Sequence, residues 1–310
     1  MSYKKIIIAG GGVLGSQIAF QAAYCGFEVT IWLRSEGSIS RTKPKLDHLK
    51  DVYIETINKM ANKEIWAVGI ADEETFNKKE CLKKVEDAYN NIKLELDLAK
   101  AVKDADLVIE SMAEIKNAKM EFYKTLAPLL DEKTVVVSNS STLLPSTFAK
   151  ATGRANKFLS LHFSNEIWIN NIAEVMAQSK TDMKYFDEVI SFAKEIRMLP
   201  LPVKKEKAGY LLNSMLVPFL MAALDLLAEG ISDVESIDNA WKFGTGAAMG
   251  PFVFLDKIGL VTALNIVEMY LHIPQFLAPF HFKDIYKLLK KYVDEGKVGE
   301  SAGEGFYKYK

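Results

Sequence analysis

The period of the hydrophobic pattern changes twice along the chain. Short, mostly apolar runs occur at 6–9, 29–33, 107–109, 134–137 and 158–162. Runs of this length read as strands buried on both faces, the pattern of a parallel sheet. Between them the spacing turns helical, at 14–24 and 120–130, and Gly26 stands where a helix ends in a left-handed residue. From Pro44 to Lys103 the chain is polar with helical period, lysines and glutamates surrounding Leu46, Val52, Ile57 and Leu94. This predicts a long helical insertion. After Val203 no strand pattern remains, whereas 210–228, 237–243 and 260–271 keep helical spacing. The predicted fold class is α/β. A Rossmann-type doubly wound parallel sheet with a helical insertion occupies 1–203, and an all-α domain occupies 204–310.

Composition narrows the function classes. At 310 residues the chain is long enough for two cores. Its 39 basic and 40 acidic residues leave a net charge of −1, so no global field draws it to nucleic acid or an anionic membrane. The opening run Ile6 to Ile8 is too short for a signal-peptide core. The stretch Met215 to Leu227 contains Pro218 and Asp225 and reads as a buried helix, not a membrane span. With only Cys25 and Cys81 there is neither a disulfide framework nor a cysteine cluster for zinc. No metal site is expected, and a reducing, cytoplasmic location fits.

The first chemical signal lies between the first strand and the first helix. Gly10, Gly12 and Gly15 form G-x-G-x-x-G, with Val13 and Leu14 inside the motif and Ala19 on the helix behind it. The first glycine allows the tight turn and the second lets backbone approach a pyrophosphate. The third permits close helix packing, and the helix N-terminus favours the negative charge. In versions that bind NAD, an acidic residue about twenty positions on accepts hydrogen bonds from the adenosine ribose. Here that place holds Leu33, followed by Arg34 and Ser35, a cation and a hydroxyl that suit a 2′-phosphate. Arg41 and Lys43 add charge from what reads as a loop. NADPH is therefore the favoured cofactor, and NAD the alternative if Arg34 is only a solvated residue.

A second cluster comprises Ser138 to Thr142, Leu161 to Asn165 and Ala173 to Val175. Removing hydride from a carbinol carbon becomes easier as its hydroxyl proton leaves, so a base titrating near neutrality belongs at that oxygen. His162 has the right chemistry. Glu174 sits in an apolar segment where a lone charge is costly, so it should have a partner. Ser141 is also a natural helix cap, and Asn213 lies in an apolar helical run, where helix packing is an ordinary reason for an amide.

These segments resemble the 3-hydroxyacyl-CoA dehydrogenase family. So do I-E-S-M-A-E-I-K-N-A-K from Ile109 to Lys119, A-G-Y-L-L-N from Ala208 to Asn213, Met249 to Phe252, and Gly303 to Tyr307. The resemblance spans essentially the whole chain. It implies His162 as general acid/base and Glu174 as the carboxylate that orients it. It further implies Ser141 and Asn213 at the reacting oxygen, Asn165 shaping that site, and Glu114 and Lys119 at the nicotinamide ribose. Asn165-Glu166 replaces the family's usual Asn-Pro, which is similar to the diketoreductase branch and leaves the substrate a 3-hydroxy or 3-keto acid, ester or acyl-CoA. Lysines 43, 45, 50, 59 and 63 could meet a CoA phosphate but read better as a solvated helix face. The resemblance also implies a homodimer. The competing reading is a non-catalytic dinucleotide-binding protein, either a structural protein or a redox sensor.

Overall fold

The computed structural model describes residues 3–309. The chain divides into two compact units, 1–211 and 212–310. In the first, β1 (Lys5–Ala9), α1 (Val13–Tyr24) and β2 (Glu28–Trp32) form the opening βαβ unit. There follow α2 (Glu36–Ala61), α3 (Lys78–Asn91), β3 (Lys93–Glu95), α4 (Leu98–Val102), β4 (Leu107–Glu110), α5 (Lys116–Leu126) and β5 (Val135–Ser138). β6 (Phe158–Phe163), β7 (Ile172–Ala177), α6 (Met183–Glu195) and β8 (Leu199–Val203) complete it.

One eight-stranded sheet runs β3-β2-β1-β4-β5-β6-β7-β8, parallel except where β6 meets β7. Consecutive isoleucines in β1 and valines in β5 are all fully buried, because helices cover both faces. Each such side chain contributes roughly 1.5–3 kcal/mol of burial. The strand order reverses between β1 and β4, and in open α/β sheets ligands bind beyond the carboxyl ends at such a point.

The predicted α/β class holds, with three strands that the periodicity did not show. β3 is three residues long and partly charged, too short to display alternation, and the β2 backbone defines it. β7 pairs antiparallel with β6, and β8 runs parallel to β7, so both run against the rest of the sheet. β8 reads Leu-Pro-Leu-Pro-Val, a poor strand sequence. It lies at the sheet edge, where the missing N–H groups of Pro200 and Pro202 are tolerated. The predicted insertion is two helices, β3 and α4 rather than one helical block. α2 begins at Glu36, so Pro44 lies inside it. The stripe Thr42, Leu46, Leu49, Tyr53, Ile57 and Met60 keeps α2 on the core across the missing hydrogen bond. Buried Gln21 ties α1 to its surroundings. It donates to Gly69 O (2.8 Å) and Ile196 O (2.9 Å) and accepts from Tyr53 Oη (2.6 Å).

The second unit is helical: α7 (Leu212–Ala228), α8 (Val234–Thr245), α9 (Pro251–Ile258), α10 (Leu260–Glu268) and α11 (Phe282–Asp294). Leu224, Phe252, Leu255, Ile285 and Leu289 form its centre. Two buried aspartates fix its connections. Asp256 accepts from the backbone of Phe306 (2.8 Å) and Tyr307 (2.9 Å), and Asp238 from Phe252 N (2.8 Å) and Tyr307 Oη (3.0 Å). A Cβ on Gly305 would come within 2.0 Å of Asp256 Oδ1, and one on Gly250 within 2.2 Å of Asp238 Cγ. Both glycine motifs of this unit are therefore required by packing against an aspartate.

Candidate active site

Gly10 to Gly12 lead from β1 into α1 and line a cleft of about 350 Å³ at the carboxyl ends of the strands. Gly10 has φ +119°, and a Cβ there would meet Ser111 O at 2.6 Å. A Cβ on Gly15 would lie 2.1 Å from Gly10 O. Gly12 differs. Its φ is an ordinary −69°, and a Cβ there would meet nothing within 4 Å. Fold geometry accounts for two of the three motif glycines and leaves Gly12 facing open space, as a backbone approached by a pyrophosphate requires. Val13, 60 % exposed, and half-buried Leu14 open α1 behind it. Gly11, which the motif leaves free, is required too: its Cβ would strike Thr42 Oγ1 at 2.1 Å.

Leu33 lines the same cleft while remaining only 3 % exposed. Exposed Arg34 lines it beside Leu33. Ser35 stands at the N-cap position of α2 with its hydroxyl 3.1 Å from that of Ser38, and it is Ser38, one turn on, that lines the cleft. Arg41 and Lys45 join it from α2, so the charge expected from a loop is carried by a helix. Lys43 is exposed and outside the lining. Of the other lysines, Lys50 pairs with Glu86 (2.8 Å) and Lys59 with Glu55 (2.6 Å), as on a solvated face.

His162 and Glu174 face each other across β6 and β7, in direct register. This antiparallel step places a buried imidazole opposite a buried carboxylate. His162 Nδ1 lies 3.0 Å from Glu174 Oε2, and His162 Nε2 lies 3.1 Å from Ser141 Oγ. A carboxylate only accepts, so Nδ1 carries the hydrogen and Nε2 is left to take a proton. Ser141 follows β5, and the next turn, 145–147, has Leu144 and not Ser141 at its N-cap position. Asn139 joins the strand ends, donating to Ser111 Oγ (3.2 Å) and accepting from Phe163 N (3.0 Å). Asn165 is exposed, with its carbonyl accepting from Asn170 Nδ2 (3.0 Å). Asn213 is half-buried in the first turn of α7 in the second unit.

Lys119 is buried, and its ammonium lies 2.6 Å from Glu110 Oε1. Glu110, fully buried at the end of β4, also accepts from Tyr123 Oη (2.9 Å), Ser138 Oγ (2.9 Å) and Met112 N (2.7 Å). Glu114 lies 3.4 Å from the Lys119 ammonium and accepts from Ser140 Oγ, Thr142 N (3.0 Å) and Thr142 Oγ1 (2.9 Å). Burial raises the Glu114 carboxyl, but these bonds and the Lys119 charge outweigh it and hold the group below its ordinary value. The sequence reading missed Glu110 and Tyr210. A carboxylate closing an apolar strand was the available signal for Glu110, and Tyr210 stands inside the A-G-Y-L-L-N segment, where no chemical role marked it. His281 lies 3.2 Å from Asp225 Oδ1 and also meets Glu229.

The model of the 3-hydroxyacyl-CoA dehydrogenase NAD-binding domain matches residues 5–207, and that of the same family's C-terminal domain matches 209–309. The mitochondrial hydroxyacyl-coenzyme A dehydrogenase of Homo sapiens is 34% identical over 307 residues, 99% of this chain and 91% of that protein. A 3-hydroxybutyryl-CoA dehydrogenase of Clostridioides difficile is 30% identical, covering 98% and 99%. Among solved structures, a diketoreductase acting on dicarbonyl compounds aligns over 100% of both chains, with 43% identity and a TM-score of 0.86.

Proposed function

The chain belongs to the 3-hydroxyacyl-CoA dehydrogenase family, and from that premise we propose that it interconverts a 3-hydroxy and a 3-keto acyl-type substrate with His162 as general acid/base. The observation that carries this reading is the chain of contacts Ser141–His162–Glu174, built on three adjacent strands. A nicotinamide dinucleotide, when bound, exchanges hydride with the substrate carbon. The open space at Gly12 and the cleft beyond β1 and β2 fit its diphosphate and adenosine ends.

In the oxidative direction the substrate hydroxyl proton passes to His162 Nε2, and Ser141 Oγ holds the oxygen in place. Glu174 keeps Nδ1 protonated and balances the imidazolium that forms. In reduction the same nitrogen returns the proton. Glu114 and Lys119 support the wall of the nicotinamide subsite, Lys119 through its pairing with Glu110. Asn165 and Asn213 are assigned to substrate by family resemblance alone.

Arg34, Arg41, Lys45 and Ser38 give the adenosine end of the cleft cations and a hydroxyl, and no carboxylate lines it among the described residues. That lining supports NADPH as the preferred cofactor. A CoA-free dicarbonyl substrate is the second reading, favoured by the 43% identity to a diketoreductase. A homodimer is assigned by family resemblance alone. The free thiols of Cys25 and Cys81 fit a reducing compartment such as the cytoplasm, and burial pushes the Cys25 thiol up to about 12.

The deciding experiment follows NAD(P)H absorbance with acetoacetyl-CoA and with a CoA-free diketo ester, using each cofactor in turn. Turnover of either substrate supports the reading and ranks the two substrate classes. Tight cofactor binding without turnover of any 3-keto compound would favour a non-catalytic binding protein.

A further inference from the structure

The segment 209–211, the last of the first unit, touches each member of the Ser141–His162–Glu174 chain. Gly209 N donates to Ser141 O (3.2 Å), and Leu211 N donates to Glu174 Oε1 (2.8 Å). Between them the Tyr210 ring stacks on the His162 imidazole, with centroids 4.5 Å apart and planes 11° from parallel. Tyr210 is 1% exposed, and its hydroxyl donates to Ser140 O (2.8 Å). Gly209 (φ +80°) and Tyr210 (φ +51°) are both left-handed. A non-glycine residue there is strained and persists only where its surroundings fix it.

We propose that Tyr210 is a positioning residue for the dehydrogenase reaction: its ring fixes the plane of the His162 imidazole and stabilises the imidazolium that forms when Nε2 takes the substrate proton. The inference rests on the proposed function of His162. A buried aromatic face against a cation is worth about 2 kcal/mol, against far less for the neutral ring, so its effect falls on the proton-transfer step. Glu174 meets the same cation at its edge and Tyr210 at its face. The Tyr210 hydroxyl takes no part as an acid or base. Burial, above all, pushes it well above its ordinary value, and it stays a donor to Ser140 O.

The test compares Tyr210→Phe, which keeps the ring, with Tyr210→Leu, which removes it, each alone and combined with His162→Ala. Tyr210→Phe should stay within about threefold of wild-type kcat. Tyr210→Leu should lower kcat about tenfold to thirtyfold, with KM and cofactor Kd within about twofold. In the His162→Ala background Tyr210→Leu should have no further effect, because the two residues act as one unit. Equal losses for Phe and Leu, or a Leu effect that persists without His162, overturns the proposal. A Leu variant that melts or loses cofactor binding assigns Tyr210 to stability and overturns it too. If His162→Ala alone has wild-type turnover, the underlying acid/base reading fails as well. If His162→Ala is impaired and Tyr210→Leu is not, only this inference fails.

Discussion

Replacing Arg34 with alanine should weaken the use of NADPH while leaving NADH nearly untouched. Arg34 is exposed on the cleft, so its backbone and packing are not at stake. A charge-assisted hydrogen bond contributes about 1.5–3 kcal/mol, and solvent at an exposed position argues for the lower half of that range. At 1.4 kcal/mol per factor of ten, the loss in kcat/KM for NADPH is about tenfold to thirtyfold. Arg41 lines the same cleft and accepts the same analysis, so the double variant should lose more than either single one. The contacts are electrostatic, and the NADPH advantage should shrink between 50 mM and 500 mM salt. The assay is kcat/KM for both cofactors in wild type, Arg34→Ala and the double variant. A wild-type preference for NADH, or equal losses for the two cofactors in Arg34→Ala, would mean that Arg34 faces solvent and makes no contact with a 2′-phosphate.

Three further outcomes follow from the geometry. Gly12→Val should abolish cofactor binding with little change in Tm, since its Cβ meets no protein atom within 4 Å; NADPH titration monitored by fluorescence checks this, and retained tight binding would contradict it. Lys119→Met leaves the fully buried Glu110 without its cation and should cost about 3–5 kcal/mol in urea unfolding, whereas a loss below about 1 kcal/mol would mean Glu110 is held by neutral donors alone. Glu114 is held below its ordinary value of 4.5 in the folded protein. Its stabilising effect is therefore present above pH 4.5 and lost as pH falls through the lower folded value. Melts from pH 7 down to pH 3 should show a smaller acid-side loss in Glu114→Gln, and identical profiles would show that Glu114 is uncoupled from folding.

Much of the sheet was legible because a strand buried on both faces has a signal of its own, as in Ile6 to Ile8 and Val135 to Val137. β7 was not, although its residues were singled out chemically. Nothing in the sequence tells that Ile172–Ala177 pairs antiparallel, and that pairing is what sets Glu174 opposite His162. The position of Leu33 was readable from spacing to the glycine motif. The cations beside it were assigned to a loop because Pro44 suggested a helix start, whereas the α2 stripe begins before it. Glu110 and Tyr210 act through distant partners, Lys119, Ser138, Ser140 and His162, and long-range pairing leaves no local pattern.

The proposed reaction has His162, oriented by Glu174, move the substrate proton. Its most direct test is kcat and cofactor Kd for wild type, His162→Ala and Glu174→Gln on whichever 3-keto substrate is turned over. The expected result is a fall in kcat of about 10²- to 10⁴-fold for His162→Ala and a large fall for Glu174→Gln, with cofactor Kd unchanged within about threefold. Wild-type kcat in both variants, with cofactor still bound, would contradict it.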